Sequence, residues 1–429
     1  MMWAFIFIFM FAAFIAACIY LITRVRKFAW VDKLAKDRKW LSILISALTC
    51  VVFIVALSLA MGYINAIIVT IYMILFWLVC EFAFWLVGKV KNRTKATADE
   101  TAKSNTIKSN TIKSNTINNN VTENDIAEND IAENNTAEHN TERGIKTQKR
   151  KIYYAGITAI VVTIVYMSWG WYQAHNVWQK DYTIHTDKDV GSIKLALIAD
   201  SHMGTTFDGD GFAEHVKEIQ GQNPDAVLIA GDFVDDDTSL SDMKKCCVAL
   251  GTLDTKYGVY YVFGNHDKGY YASERRGYDG DDIIAELTKN GVTVLQDQSV
   301  LLGDSFYIIG RQDLSEVTDR GGSRADIEDL VKALDDDKYQ ILMDHQPADY
   351  AHEKASGVDL VLSGHTHGGQ LLLIKLFQEI TGMGGNDQIY GLEDLDGSDF
   401  LVTSGISDWA IKFKTGCRSE YVIIDIQGK

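Results

Sequence analysis

The sequence predicts an α/β domain carried behind a group of membrane-spanning helices, and three observations predict it. Five short apolar runs in the second half of the 429-residue chain each stop at Asp, Asn or His, as buried strands do when they deliver side chains to one rim of an open sheet. Four long apolar segments crowd the first 180 residues. A repetitive tract poor in apolar side chains lies between the third and fourth of these segments.

The candidate spans are residues 3–22, 41–63, 64–88 and 155–172, each near the ~20 apolar residues that a bilayer core requires. A signal peptide is the alternative for the first. It has no charged residue ahead of Trp3 and is followed by further hydrophobic segments, which favours a retained helix. A buried helix is the alternative for the fourth, whose exit carries Trp169, Trp171, Tyr172 and Trp178, the composition of an interfacial belt.

Basic residues set the orientation. Arg24, Arg26, Lys27, Lys33, Lys36, Arg38 and Lys39 fill the first loop, Lys89, Lys91, Arg93 and Lys95 follow the third span, and Lys146, Lys149, Arg150 and Lys151 precede the fourth. Positive loops stay inside, so the fourth span leads outward and the second half of the chain is expected on the extracytoplasmic face. Were 155–172 not a span, that half would be cytoplasmic.

The resulting division is 1–90 for three transmembrane helices, 91–150 for a linker, 151–180 for the fourth helix and its juxtamembrane segment, and 190–429 for the soluble domain. In the linker, five-residue units repeat from Ser104 and again from Glu123, with no aromatic residue, so disorder is expected. From Gly191 onward there are 42 acidic against 20 basic residues. That balance excludes a basic groove for nucleic acid. Asp235 to Asp237 and Asp335 to Asp337 read as solvated surface. Cys246, Cys247 and Cys417 form an odd set whose pairing sequence cannot decide.

The soluble half is organised around residues 359–370. Leu360, Val361 and Leu362 suit a strand covered on both faces, and Gly364, Gly368 and Gly369 permit a tight loop carrying His365 and His367. The other runs behave alike: 193–199 leads to Asp200 and His202, 226–230 to Gly231 and Asp232, 259–263 to Gly264, Asn265, His266 and Asp267, and 339–344 to His345. Side chains of this kind, with no thiolate among them, suit borderline or hard divalent ions such as Mn²⁺, Fe or Zn²⁺.

In that order, the Asp-x-His, Gly-Asp, Gly-Asn-His-Asp, His and Gly-His-Thr-His motifs resemble the calcineurin-like metallophosphoesterase superfamily, and residues 364–370 resemble its membrane-anchored bacterial branch. The resemblance covers roughly residues 193–426. It implies a four-layer sandwich, two mixed β-sheets flanked by helices, with two divalent metal ions at the strand ends and manganese the first choice. It further implies that Asp200, His202 and His367 hold one ion, Asn265, His345 and His365 the other, and that Asp232 bridges them. A hydroxide between the ions would attack phosphorus, and His266 would stabilise the developing charge or protonate the leaving oxygen. Asp267 would either orient the His266 ring or cap the following turn.

The expected activity is hydrolysis of phosphoester bonds, with phosphodiesters of lipid-linked or cell-envelope substrates preferred. A cytoplasmic-facing protein or small-molecule phosphomonoesterase is one alternative, and a non-catalytic membrane sensor of a phosphorylated ligand is another. Residues 371–377 read as core strand or helix, or else as an apolar lip beside the site. Residues 403–420 also resemble the branch's closing segment, except that Lys414 stands where an arginine is expected, which replaces a bidentate fork by a point charge.

Overall fold

The computed structural model describes residues 15–117, 152–270 and 275–429. The chain divides into two compact units, Met1–Ala56 with Ile67–Thr163, and Leu57–Ala66 with Ile164–Lys429. Helices α1 (Ile15–Val25), α2 (Ala29–Ala35), α3 (Lys39–Met61), α4 (Tyr63–Ile117) and α5 (Tyr154–His175) come first. Among the described residues three helical stretches are long and apolar enough to cross a membrane: Lys39–Met61, Tyr63–Ala98 and Tyr154–His175. Most of the predicted first span, and the linker from residue 118 to 151, lie outside the described residues.

The structure differs from the sequence reading in one part of the linker. Residues 91–117 continue α4 as helix and not as an irregular segment. No glycine or proline occurs between Gly88 and Gly144, so no breaker ends a helix that the apolar span has already nucleated. Within the first unit Leu21, Trp77 and Ala159 pack together, and Glu81 accepts ion pairs from Arg24 (3.0 Å) and Lys27 (2.6 Å).

Among the described residues the second unit holds twelve strands. They are β1 (Val177–His185), β2 (Ser192–Ile198), β3 (Ala226–Ala230), β4 (Val259–Val262), β5 (Val292–Val294), β6 (Gln298–Leu302), β7 (Phe306–Gly310), β8 (Tyr339–Met343), β9 (Leu360–Ser363), β10 (Gly391–Leu395), β11 (Ser398–Val402) and β12 (Ser419–Gln427). One six-stranded sheet runs β1-β12-β2-β3-β4-β5, the other β10-β11-β9-β8-β7-β6. Both are mixed, since β12 pairs antiparallel with β2 while β2, β3 and β4 pair parallel, and β6 pairs antiparallel with β7 while β7, β8 and β9 pair parallel. The domain therefore begins before residue 190. All nine residues of β1 pair with β12, although its alternating polar sequence carries no buried-strand signature.

Side-chain alternation along each strand builds the layers. Leu195 and Leu197, Leu228, Ile341, Met343, Leu360 and Leu362 point between the sheets, while Ala196, Ile198, Val227 and Ile229 face the helices α6 (Gly209–Gln220), α7 (Leu240–Leu250) and α8 (Gly280–Lys289). On the far side Leu342 and Val361 meet Ile327 and Val331 of α10 (Ile327–Val331), which follows α9 (Ser315–Thr318), and Tyr350 of α11 (Tyr350–Ala355). The last helix is α12 (Leu372–Thr381). Each fully buried Leu or Ile contributes about 1.5–3 kcal/mol, and a one-residue slip of any central strand would exchange the inner and outer sets, so the register is strongly fixed. The register also fixes the rim: β2, β3, β4, β8 and β9 all end at it.

Candidate metal centre

Adjacent strand ends are tied by backbone hydrogen bonds. The amide of Asp200 donates to Gly231 O (3.0 Å), that of His202 to Asp232 O (3.1 Å), and that of Gly364 to His345 O (3.0 Å). Two glycines are required by close approach. A Cβ at Gly264 would stand on the Asp232 carboxylate, and one at Gly364 would press on Asp200. Five of the predicted ligands also turn through the left-handed region: Asp200 (φ 54°), His202 (34°), Asp232 (50°), His365 (70°) and His367 (50°). Each such turn costs about 1–2 kcal/mol for an L-residue, and its clustering at one rim marks a functional site.

The side chains gather in three groups among the described residues: Asp200 with His202 and His367, Asp232 with His345 and His365, and His202 with Asp235 and His266; the predicted Asp and His ligands fall in the first two. Within each group the candidate ligand atoms lie within 4.8 Å of one another. Oδ2 of Asp232 reaches both the first and the second, standing 3.4 Å from His202 Nε2 and 3.2 Å from His345 Nε2. Asn265 joins the second group, its Oδ1 2.8 Å from His365 Nδ1 and 3.2 Å from His345 Nε2.

The hydrogen bonding shows that a cation fits here. His345 donates from Nδ1 to Ala230 O (2.7 Å), so in the neutral ring Nε2 carries a lone pair facing the oxygens of Asp232 and Asn265, acceptor against acceptor. The Asn265 amide is oriented by donation from Nδ2 to Tyr270 Oη (2.7 Å), which leaves Oδ1 turned to the two imidazoles. Nδ1 of His367 is buried without a hydrogen-bond partner, and the buried ring nitrogens of His202 have only long contacts, 3.4 Å to Asp232 and 3.5 Å to Asp235. Such frustration is relieved by dications.

Electrostatics divide the histidines. Burial opposes the charged form of His202 and His345, but the Asp232 carboxylate, joined by Asp235 at His202, outweighs it, raising His202 to about 10 and His345 well above its ordinary value, so these two rings carry protons that a dication would displace. Burial pushes Asp200 up to about 6, despite the nearby histidines. Burial opposes ionisation of Asp232 too, but His345 and His202 hold it well below the usual carboxylate range. Burial, reinforced by the neighbouring rings, lowers His365 to about 4 and His367 well below its ordinary value, which keeps both in the neutral form that binds metal.

Two sequence expectations need correcting. Asp267 does not meet the His266 ring. Its Oδ1 accepts the amides of Phe233 (2.7 Å) and Val234 (3.0 Å), and its Oδ2 those of Asp232 (2.9 Å) and Gly264 (2.7 Å). Four donors saturate the carboxylate, which clamps the β3 and β4 loops together. Lys414 is fully buried and donates to Ser404 O (2.6 Å) and Gly405 O (3.2 Å), so it braces the closing segment behind Asp200 and is spent as a phosphate clamp.

The residue that sequence reasoning missed is Asp235. Its carboxylate lies 3.2 Å from His266 Nδ1 and 3.5 Å from His202 Nδ1, and those rings hold it below the usual carboxylate range against the effect of burial. Trp409 and Tyr270 flank the His266 ring at centroid distances of 5.2 and 5.0 Å. Cys246, Cys247 and Cys417 are free thiols.

Comparison with known proteins now bears on this site. Residues 193–369 match the model of the calcineurin-like phosphoesterases. An uncharacterized metallophosphoesterase of Aquifex aeolicus is 30% identical over 263 residues, covering 58% of this chain and 91% of that protein. The chain belongs to the calcineurin-like metallophosphoesterase family. An uncharacterized metallophosphoesterase of Campylobacter jejuni is 31% identical over 243 residues, 55% of this chain and 60% of that protein. A bovine transmembrane protein with metallophosphoesterase domain is 27% identical over 251 residues, 56% of this chain and 54% of that protein. This metallophosphoesterase thus spans less than two thirds of the length of these last two relatives. Its apolar helices associate it with a membrane, and its second unit is a phosphoesterase domain with clustered metal-ligand residues.

Proposed function

We propose that this metallophosphoesterase is a multi-pass membrane enzyme that hydrolyses phosphoester bonds, with phosphodiesters of lipid-linked or cell-envelope substrates as its preferred class. The observation that carries this reading is the pair of ligand groups sharing Asp232. Asp200, His202 and His367 would hold one divalent ion and Asn265, His345 and His365 the other, with Asp232 common to both and manganese preferred over iron or zinc. When bound, such ions supply charge neutralisation for the phosphoryl oxygens and acidify a water nucleophile.

The chain's own residues do the rest. His266 is held at Nδ1 by Asp235, which leaves Nε2 to carry the proton that the leaving oxygen takes up. Trp409 and Tyr270 wall that ring and shield it from bulk water. Asp267 keeps the Asp232 and Asn265 loops in register and is a positioning residue. The basic residues beside the spans support an extracytoplasmic domain.

The test uses the purified full-length chain. After chelation, Mn²⁺ should restore cleavage of bis-p-nitrophenyl phosphate, and of p-nitrophenyl phosphate more weakly, and His365→Ala should abolish both. A folded, metal-loaded protein that cleaves neither ester would overturn the enzymatic reading in favour of ligand sensing. Protease access to the domain in intact cells checks orientation, and protection there would place the domain inside.

A further inference from the structure

Helix α12 begins three residues after the Gly369 that closes the histidine loop, and its amphipathicity is inverted. Lys375 turns toward the protein, its Cβ side backing Gly369 and its ammonium lying 5.6 Å from the Tyr390 ring centroid. Leu373, Leu376, Phe377 and Ile380 occupy the opposite face and are 43–81% exposed, with Ile374 beside them at 40%. No residue of this helix is buried. In water such a face is a standing loss of roughly 25 cal/mol per Å² left uncovered, so it has an occupant.

What covers it follows from the segments beside it. The carbonyl of Gly170 in α5 accepts the amide of Lys414 (2.9 Å), and Thr415 Oγ1 accepts the amide of Leu372 at the start of α12 (3.1 Å). Gly170 lies amid Trp169, Trp171 and Tyr172, exposed aromatics of the kind that settle at the water interface of a bilayer. The turn between α3 and α4 arrives at the same segment, where Asn65 donates to Ala410 O (3.1 Å) and accepts from the amide of Lys412 (2.8 Å). The first residue of α12 is therefore pinned beside the interfacial ends of three helices of membrane-spanning length.

We infer that α12 lies in the plane of the membrane, its apolar face in the acyl boundary, and holds the metal centre at head-group level, where it takes phosphoesters from the lipid surface. The inference rests on the reading of α5 as a span that ends at this domain. Its polar face holds Lys375 and Glu379, one charge of each sign, so apolar insertion and not attraction to anionic lipid drives the contact.

The test places an environment-sensitive fluorophore at Ile380→Cys or Glu379→Cys in the full chain, reconstituted in phosphatidylcholine vesicles at low protein-to-lipid ratio, with the wild-type chain labelled in parallel. The label at 380 should be quenched by doxyl-lipids at least about threefold more than that at 379, and shielded from iodide. Equal iodide access at both positions overturns the inference. So does shielding at 380 that vanishes on further dilution of protein in lipid, which would make the face a contact between two copies.

Leu376→Ser combined with Ile380→Ser should lower cleavage of a phosphodiester lipid in vesicles by about tenfold while soluble bis-p-nitrophenyl phosphate is cleaved within about twofold of wild type. Unchanged vesicle cleavage would overturn the role in substrate access. The quenching result stands even if no ester is turned over, so failure of the enzymatic reading and failure of this one are separable.

Discussion

Asp235→Asn isolates the contribution of the carboxylate that lies between the His266 and His202 rings. Asparagine keeps the side-chain volume, and its Oδ1 can still accept the Asp236 amide that Asp235 binds at 2.7 Å, so the fold should survive. What disappears is the negative charge: the retained Oδ1 still faces His266 Nδ1 at 3.2 Å but as a neutral acceptor, and an NH₂ replaces the Oδ2 that stands 3.5 Å from His202 Nδ1. Removal of a partner that orients a catalytic or ligating histidine costs on the order of 10–100-fold, or about 1.4–2.7 kcal/mol. The two rings separate in the assay. At saturating Mn²⁺ the loss of kcat reports His266, expected at ~10–100-fold, while the Mn²⁺ concentration giving half-maximal rate reports His202 and should rise by a similar factor. If both quantities stay within about twofold of wild type, the carboxylate is a bystander and the role given to Asp235 is wrong.

Other perturbations follow from the same geometry. Asp267→Asn turns an NH₂ toward two of four buried amides, at about 1–3 kcal/mol each, so the melting temperature should fall by roughly 4–24 °C. An unchanged melting temperature with lost activity would restore the ring-orienting role. Saturating Mn²⁺ at about 100 times Kd should stabilise the metal-free chain by ~2.7 kcal/mol in a thermal melt, and His365→Ala should reduce that gain. Glu353 supplies a pH signature. Burial, with the Asp344 charge added, holds its carboxyl well above the ordinary value although Arg311 lies 3.6 Å away. A raised folded pKa contributes stability that is complete below the unfolded value and lost as pH rises through the folded one. Glu353→Gln should therefore flatten the decline of melting temperature as pH rises from the ordinary glutamate value upward, and parallel curves for the two proteins would refute this.

The convergence of the strand-ending Asp, Asn and His side chains was legible because the rule is local: an apolar run buries itself, and its next residues must emerge at the rim. The runs read as strands covered on both faces, and the layers came from the family resemblance; which side chains of β2, β3, β8 and β9 face which layer is visible only in the structure, because nearly every position in these runs is apolar. Asp235 was hidden because it opens an acidic run that reads as solvated surface, and only the return of the β3 loop past His202 reveals its partners. Asp267 adjoins His266 in sequence, yet neighbouring side chains diverge, and its carboxylate meets four amides. For α12 composition identified apolar bulk but not its direction, since burial depends on what the fold sets opposite a face. The edge strand β1 and the helix through residue 117 were missed because pairing with β12 and continuation of a nucleated helix leave little mark on the residues themselves.

The left-handed turns at Asp200, His202, Asp232, His365 and His367 impose a selection of their own. A side chain at these places must both donate to a cation and sit at positive φ, and aspartate, asparagine and histidine are the donors that tolerate that conformation best. Cysteine and glutamate could bind a metal but lack that tolerance. The backbone thus narrows the ligand alphabet before any ion arrives. A rim that turns this way writes oxygen and imidazole into its vocabulary and leaves sulfur out.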